Sequence, residues 1–187
     1  VSDRRAELAD AAIVTLAREG MRGLTHRAVD RAAGLPQGST SYYFRTREAL
    51  LQGTLERLAD LSNAELADVR ADDLDSIAAL LEHWMTAGRD RMLARFELTL
   101  EATRRPALRA TLELLGGQFR TTAETLLLDA GVKDAKRRAA NLVAHFDGLI
   151  FDQLVEAGPV RSRADLIDAI IPLVAMAFRD DDTPLTG

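Results

Sequence analysis

Residues 37–47, Gln-Gly-Ser-Thr-Ser-Tyr-Tyr-Phe-Arg-Thr-Arg, hold the densest set of hydrogen-bonding groups in the chain. Gln37 offers an amide, and Ser39, Thr40 and Ser41 offer hydroxyls, the groups that exchange hydrogen bonds with base edges. Three of the nine aromatic residues stand consecutively at Tyr42, Tyr43 and Phe44. A helix of about two turns cannot bury all three. The economical arrangement buries Phe44 and presents the phenols, whose hydroxyls suit a phosphate or the wall of a groove. Upstream, Thr25 can cap a helix, and its hydroxyl and the free N–H groups beside it can hold a phosphate. Arg47 sits at another helix start, where a cation opposes the dipole unless a phosphate offsets it.

Other chemistries fail on residue type. The chain has no cysteine, which removes thiolate metal sites, cysteine nucleophiles and disulfides. His26, His83 and His145 lack metal-type spacing, so no metal is expected. Glu97 and Glu101 stand one helical turn apart, and Asp147 and Asp152 form a second pair, but such pairs usually mark a solvated face. There is no Glu-x-x-His pattern, glycine-rich phosphate loop or nucleophile elbow. The expectation is a protein that is not an enzyme and needs no cofactor.

The elements that must position these groups are helical. Apolar residues recur at helical spacing almost everywhere, and no stretch alternates convincingly as a strand, so the fold is read as all-α with eight to ten helices. Leu8, Ile13 and Leu16 stripe a first helix that stops near Gly20. A second runs from Thr25 to Ala33 and ends at Gly34; a third, opened by Pro36, covers Gln37 to Tyr43. Two short helices joined at Gly34-Leu35-Pro36 and braced by a first make a helix-turn-helix, whose second helix is expected in a major groove. Thr46 caps a long helix from Arg47 towards Val69. The acidic cluster Asp72, Asp73, Asp75 opens another, running to about Asp90. Further helices span Met92 to Arg104, Pro106 to about Ala130 with a bend expected at Gly116-Gly117, Asp134 to Ala157, and Ala164 to Phe178, which contains Pro172. Residues from about 180 onward are expected to be disordered.

The net charge of −5 seems to oppose a nucleic-acid partner, but the average hides segregation. Residues 1–50 carry 8 arginines against 6 acids, whereas the remaining 137 carry 16 cations against 23 acids. Arg4 and Arg5 can add attraction for a phosphate backbone or simply form a solvated stripe. The longest apolar run, 169–178, is too short to span a membrane, and no secretory signal leads the chain. The expected setting is therefore cytoplasmic, with no membrane partner.

Residues 23–29 (Gly-Leu-Thr-His-Arg-Ala-Val), 32–44 (Ala-Ala-Gly-Leu-Pro-Gln-Gly-Ser-Thr-Ser-Tyr-Tyr-Phe) and 46–51 (Thr-Arg-Glu-Ala-Leu-Leu) resemble the TetR family of transcriptional regulators. The resemblance spans roughly residues 5–55. It departs from the family in three places: Pro36 fills a slot often held by a Ser or Thr cap, Thr40-Ser41 replaces a common Leu-Tyr pair, and Arg47 replaces a usual Lys. The resemblance implies a DNA-binding head over residues 1–46 and a helical regulatory and dimerisation part over residues 47–187. It implies a homodimer on palindromic double-stranded DNA, most commonly a repressor, released by a small-molecule effector. It also puts Arg27 near base edges, where its fork matches guanine O6 and N7. The DNA-contacting set is then Thr25, His26, Arg27, Gln37, Gly38, Ser39, Thr40, Ser41, Tyr42, Tyr43 and Arg47.

Two apolar helices close the chain. The family pairs its last two helices across a dimer, which points to Phe146, Leu149, Ile150, Leu154, Ile167, Ile170, Val174 and Phe178, although these also suit an internal core. Trp84, Met85, Met92, Phe96, Phe119 and Phe146 are large or adaptable groups that suit either an effector pocket or plain core.

Overall fold

The computed structural model describes residues 2–67, 69–70, 73–156 and 158–179, and its regular structure is entirely helical. Among the described residues nine helices follow in order: α1 (Ser2–Gly23), α2 (His26–Ala32), α3 (Ser39–Tyr43), α4 (Arg47–Leu66), α5 (Leu74–Met85), α6 (Arg89–Ala102), α7 (Pro106–Asp129), α8 (Ala135–Leu154) and α9 (Arg163–Phe178). The expected disordered tail, with Asp72 and Ala157, lies outside the described residues.

Glycines and caps set most boundaries. Gly20 takes φ 65°, which interrupts α1, and one more turn to Gly23 follows it. Gly34, at φ 64°, closes α2: its N–H bonds Arg31 O, and the Leu35 N–H bonds Asp30 O at 2.9 Å. That paired arrangement satisfies carbonyls a helix end would otherwise leave open. Asp73 caps α5 by accepting from Asp75 N and Ser76 N. The helix expected to run to about Asp90 instead ends at Met85, because Thr86 leaves helical geometry and a turn to Gly88 precedes α6. α7 runs through Gly116-Gly117 as one helix.

By packing, the chain divides into two units, Val1–Ala64 with Ala87–Gly116, and Glu65–Thr86 with Gly117–Gly187. The first therefore takes in most of α4 and all of α6, well beyond a head ending at residue 46. Its core gathers Leu8, Leu16, Leu24, Val29, Phe44, Leu50 and Leu98. Arg57 on α4 donates to both carboxylate oxygens of Asp10 on α1, at 2.7 and 3.0 Å.

In the second unit α5, α8 and α9 pack on one another. Leu127, Val132, Ala135, Ala139 and Ala177 form one apolar cluster. Ser162 and Asp165 cap the start of α9 reciprocally. At the other end the buried Arg138 of α8 donates Nη1 to the carbonyls of Met176, Ala177 and Arg179.

Candidate nucleic-acid interface

The site is built on α2, the turn at 33–38, and α3. α2 begins where Thr25, extended at φ −127°, accepts the Ala28 N–H on its hydroxyl oxygen at 3.2 Å. Its inner face is Ala28, Val29 and Asp30, leaving Thr25, Arg27 and Arg31 exposed. The third helix starts two residues later than the sequence suggests. Gly38 sits at φ 98°, a left-handed conformation that a helix cannot include, so α3 is the five residues Ser39–Tyr43.

Polar side chains from α1 and α2 fix both ends of α3. Asp30 is 3 % exposed and accepts three hydrogen bonds at the start of α3: from Gly38 N at 2.8 Å, Thr40 N at 2.7 Å and the Thr40 hydroxyl at 2.6 Å. Burial by itself raises this carboxyl. The Thr40 hydroxyl, the two backbone N–H groups and the nearby His26 outweigh it, leaving Asp30 below the ordinary carboxylate range. At the far end His26 Nε2 donates to Phe44 O at 2.6 Å, and Arg5 Nη1 donates to Tyr43 O at 3.1 Å. The Arg5 guanidinium also lies 4.4 Å above the Phe44 ring. Phe44 itself is fully buried.

These contacts sort the expected DNA-contacting residues. Arg27, Gln37, Gly38, Ser41 and Tyr42 are exposed around one helix-turn-helix, Tyr42 to 77 %. Tyr43 is half-buried and meets Tyr42 edge to face at 5.0 Å. A groove of about 400 Å³ is lined by Arg4, Leu35, Pro36, Ser39, Tyr42 and Tyr43. Ser39 spends its hydroxyl proton on Pro36 O at 2.7 Å.

Three of the expected DNA-contacting residues are committed inside the fold. Thr40 is fully buried with its hydroxyl committed to Asp30, so it has no group to offer a base. It occupies the place of the family's common leucine, and Asp30 satisfies the polar group that this exchange buries. His26 uses its ring to hold Phe44 O. Arg47 donates to Met21 O and Leu24 O, so its charge closes the end of α1, where a cation is favourable.

Two residues escaped the sequence reading. Asp30 left a signal, a carboxylate on the inner face of a helix between apolar neighbours, but its partner stands ten residues away across a turn. Arg45 is exposed and makes no hydrogen bond or ion pair among the described residues.

The expected effector residues fall in both units. Trp84 and Phe119 meet edge to face at 5.9 Å, and Trp84 Nε1 donates to Glu65 at 2.7 Å. Met85 and Phe146 belong to the same unit, whereas the buried Met92 and the half-buried Phe96 belong to the other. Of the expected dimer residues, Ile150 and Ile170 are fully buried inside their own unit and act as core. Phe146, Leu149, Leu154, Ile167 and Val174 are half-buried and Phe178 is exposed. The neighbouring Ile171, which the sequence reading passed over, is 45 % exposed.

An all-helical chain whose first unit presents a clamped helix-turn-helix defines a helix-turn-helix DNA-binding protein. The chain belongs to the TetR family of bacterial regulators. Residues 8–54 match "Bacterial regulatory proteins, tetR family", and residues 68–175 match "Tetracyclin repressor-like, C-terminal domain". It is accordingly a transcriptional regulator, of a family that is not enzymatic. Among its relatives is the HTH-type transcriptional regulator BetI of Paraburkholderia xenovorans, 28 % identical over 172 residues, which cover 87 % of this chain and 88 % of that protein. The crystal structure of a transcriptional regulator from Rhodococcus sp. Rha1 superposes with a TM-score of 0.78 at 24 % identity, over 92 % of this chain and 95 % of that one. The multidrug binding protein EbrR, complexed with ethidium, gives a TM-score of 0.68 at 28 % identity, over 91 % of this chain and 98 % of that one. No helix of the described residues is long and apolar enough to cross a membrane.

Proposed function

We propose that the chain acts as a homodimer that represses transcription by binding a palindromic operator, and that a small molecule bound in the C-terminal part releases it. The observation that carries the DNA reading is the exposed set Arg27, Gln37, Ser41 and Tyr42 around a helix whose ends are tied. Residues 1–46 hold this reading surface. Gln37, Ser41 and Arg27 meet base edges, and Gly38 lets the backbone approach closely. Thr25, Tyr42 and Tyr43 meet phosphates and the groove wall, with Arg4 and Ser39 beside them at the groove.

The dimer reading rests on α9. Ile167, Ile171, Val174 and Phe178 recur at helical spacing on its outer side, with Ile171 and Phe178 exposed. An apolar stripe of this kind is what a second copy covers in a two-fold interface, and two heads are what a palindrome requires. The effector reading is supported by the EbrR complex, and in this chain by the Trp84–Phe119 pair on the Glu65 carboxylate. The ligand must favour the non-operator state to release the DNA.

Selection of bound duplexes from a random pool tests the reading. A palindrome should be enriched, and its affinity should fall steeply with salt as counterions are released. A pool with no enriched sequence overturns it.

A further inference from the structure

α3 is too short to hold itself. Isolated helices need on the order of 12 residues or more to be even marginally stable, and this one has five residues. Its position must come from what grips it. At its start Gly38 N, Thr40 N and the Thr40 hydroxyl all end on one side chain, Asp30, while Ser39 turns back on Pro36 O; the carbonyls at its close take His26 and Arg5. Asp30 and His26 stand four apart on α2, so one face of that helix meets both ends of α3.

We infer that Asp30 and His26 are the positioning residues for sequence reading, a two-point clamp by which α2 fixes where Gln37, Ser41 and Tyr42 meet the base edges. This deepens the DNA reading above and rests on it. Electrostatics make the assignment more pointed. A carboxylate in a surface that meets phosphates works against binding, and Asp30 is the only acid among residues 20–47. Its charge cannot serve attraction. What it supplies is geometry, because an acceptor with two oxygens can take three donors at once where a neutral amide cannot. Thr40 makes the arrangement self-consistent, since its buried hydroxyl is satisfied only by that carboxylate.

Phosphate contacts set general affinity, whereas base contacts set preference, so a loosened clamp should harm the second and spare the first. The test compares the full chain with its variants on two duplexes of equal length, the selected operator and a scrambled control, by fluorescence anisotropy. For Asp30→Asn, operator Kd should rise by about tenfold or more, the scale of one lost base contact, while control Kd stays level or falls. The salt slope on the control should not change. A purely structural role would raise both Kd values together, and that outcome overturns the inference, as does an unchanged operator Kd. Should Asp30→Asn fail to fold by circular dichroism, the decision passes to His26. There His26→Gln, whose amide can still donate to Phe44 O, should keep the preference that His26→Ala loses, and equal behaviour of the two overturns the clamp. A wild-type chain that enriches no duplex fails earlier and counts against the DNA reading itself.

Discussion

α3 and α9 are held by the same device and turned to opposite uses. Each has a buried charge at one end, of the sign the helix dipole favours: Asp30 at the start of α3, Arg138 at the finish of α9. What each then shows to the outside differs. α3 and its turn present an amide, hydroxyls and phenols. α9 presents Ile171, Met176 and Phe178. The first surface is directional and suits a partner with a fixed pattern of donors and acceptors, whereas the second has no direction and suits area burial against a copy of itself. Polar anchoring thus leaves the outer face of a helix free to be chosen for its partner.

The sharpest break of this contrast uses two adjacent residues of α9. Ile170 is fully buried, so Ile170→Asp places an unpaired carboxylate in the core at a cost of about 4 kcal/mol or more, and a loss of cooperative folding in denaturant melts is expected. Ile171→Asp changes a residue 45 % exposed. That variant should keep the wild-type helical spectrum and sediment as a monomer, where the parent is expected to sediment as a dimer. Sedimentation of Ile171→Asp as a dimer would remove α9 from the interface.

Arg138 offers the next largest effect. Replacing it by Met keeps much of the stem and strips the donor from three carbonyls at the end of α9. The expected loss is about 1–3 kcal/mol of unfolding free energy, the cost of leaving buried acceptors unmade, read from urea melts at neutral pH. A loss well under 1 kcal/mol would mean that the α9 terminus finds water as easily as it finds Arg138.

These two sites also mark where sequence reading works. Glycines with a forced backbone were legible: Gly34 ends α2 where turn chemistry says it should. So was the fate of the aromatic run, because a short helix has room to bury one of three, and Phe44 is the one buried. The Asp30–Thr40 pair was not legible, since each residue alone reads as a turn-former or a surface group and their meeting depends on how the turn folds back. The anchoring of Arg47 was hidden for the same reason: its carbonyl partners, Met21 and Leu24, are more than twenty residues away. That Ile170 is buried and its neighbour Ile171 exposed was hidden for a different cause. α9 is apolar on nearly every side, so periodicity carries little information about which side faces in.

Acid titration breaks the comparison from the other end. Asp30 is held below its unfolded value of about 3.9, so the stability it supplies is fully present above that value. It disappears as pH falls through the lower folded value. The gap in melting temperature between the parent and Asp30→Asn should therefore stay constant from pH 7 to about 5 and close below about 4. Arg138→Met should show no such closing, because the contacts it removes run to backbone carbonyls and involve no carboxyl group. A gap for Asp30→Asn that persists at low pH would mean the neutral carboxyl serves α3 as well as the charged one.

The smallest effect separates two arginines beside α3. Arg45 is exposed and makes no ion pair among the described residues, while Arg47 gives its guanidinium to Met21 O and Leu24 O. A cation that meets a phosphate releases about one counterion, so Arg45→Ala should flatten the logarithmic salt dependence of operator binding by about 0.9. Arg47→Ala should leave that slope in place and lower the melting temperature instead, because the end of α1 loses its donor. Equal flattening by both variants would show that Arg47 lets go of α1 when DNA arrives, and would turn an anchoring residue into a reading one.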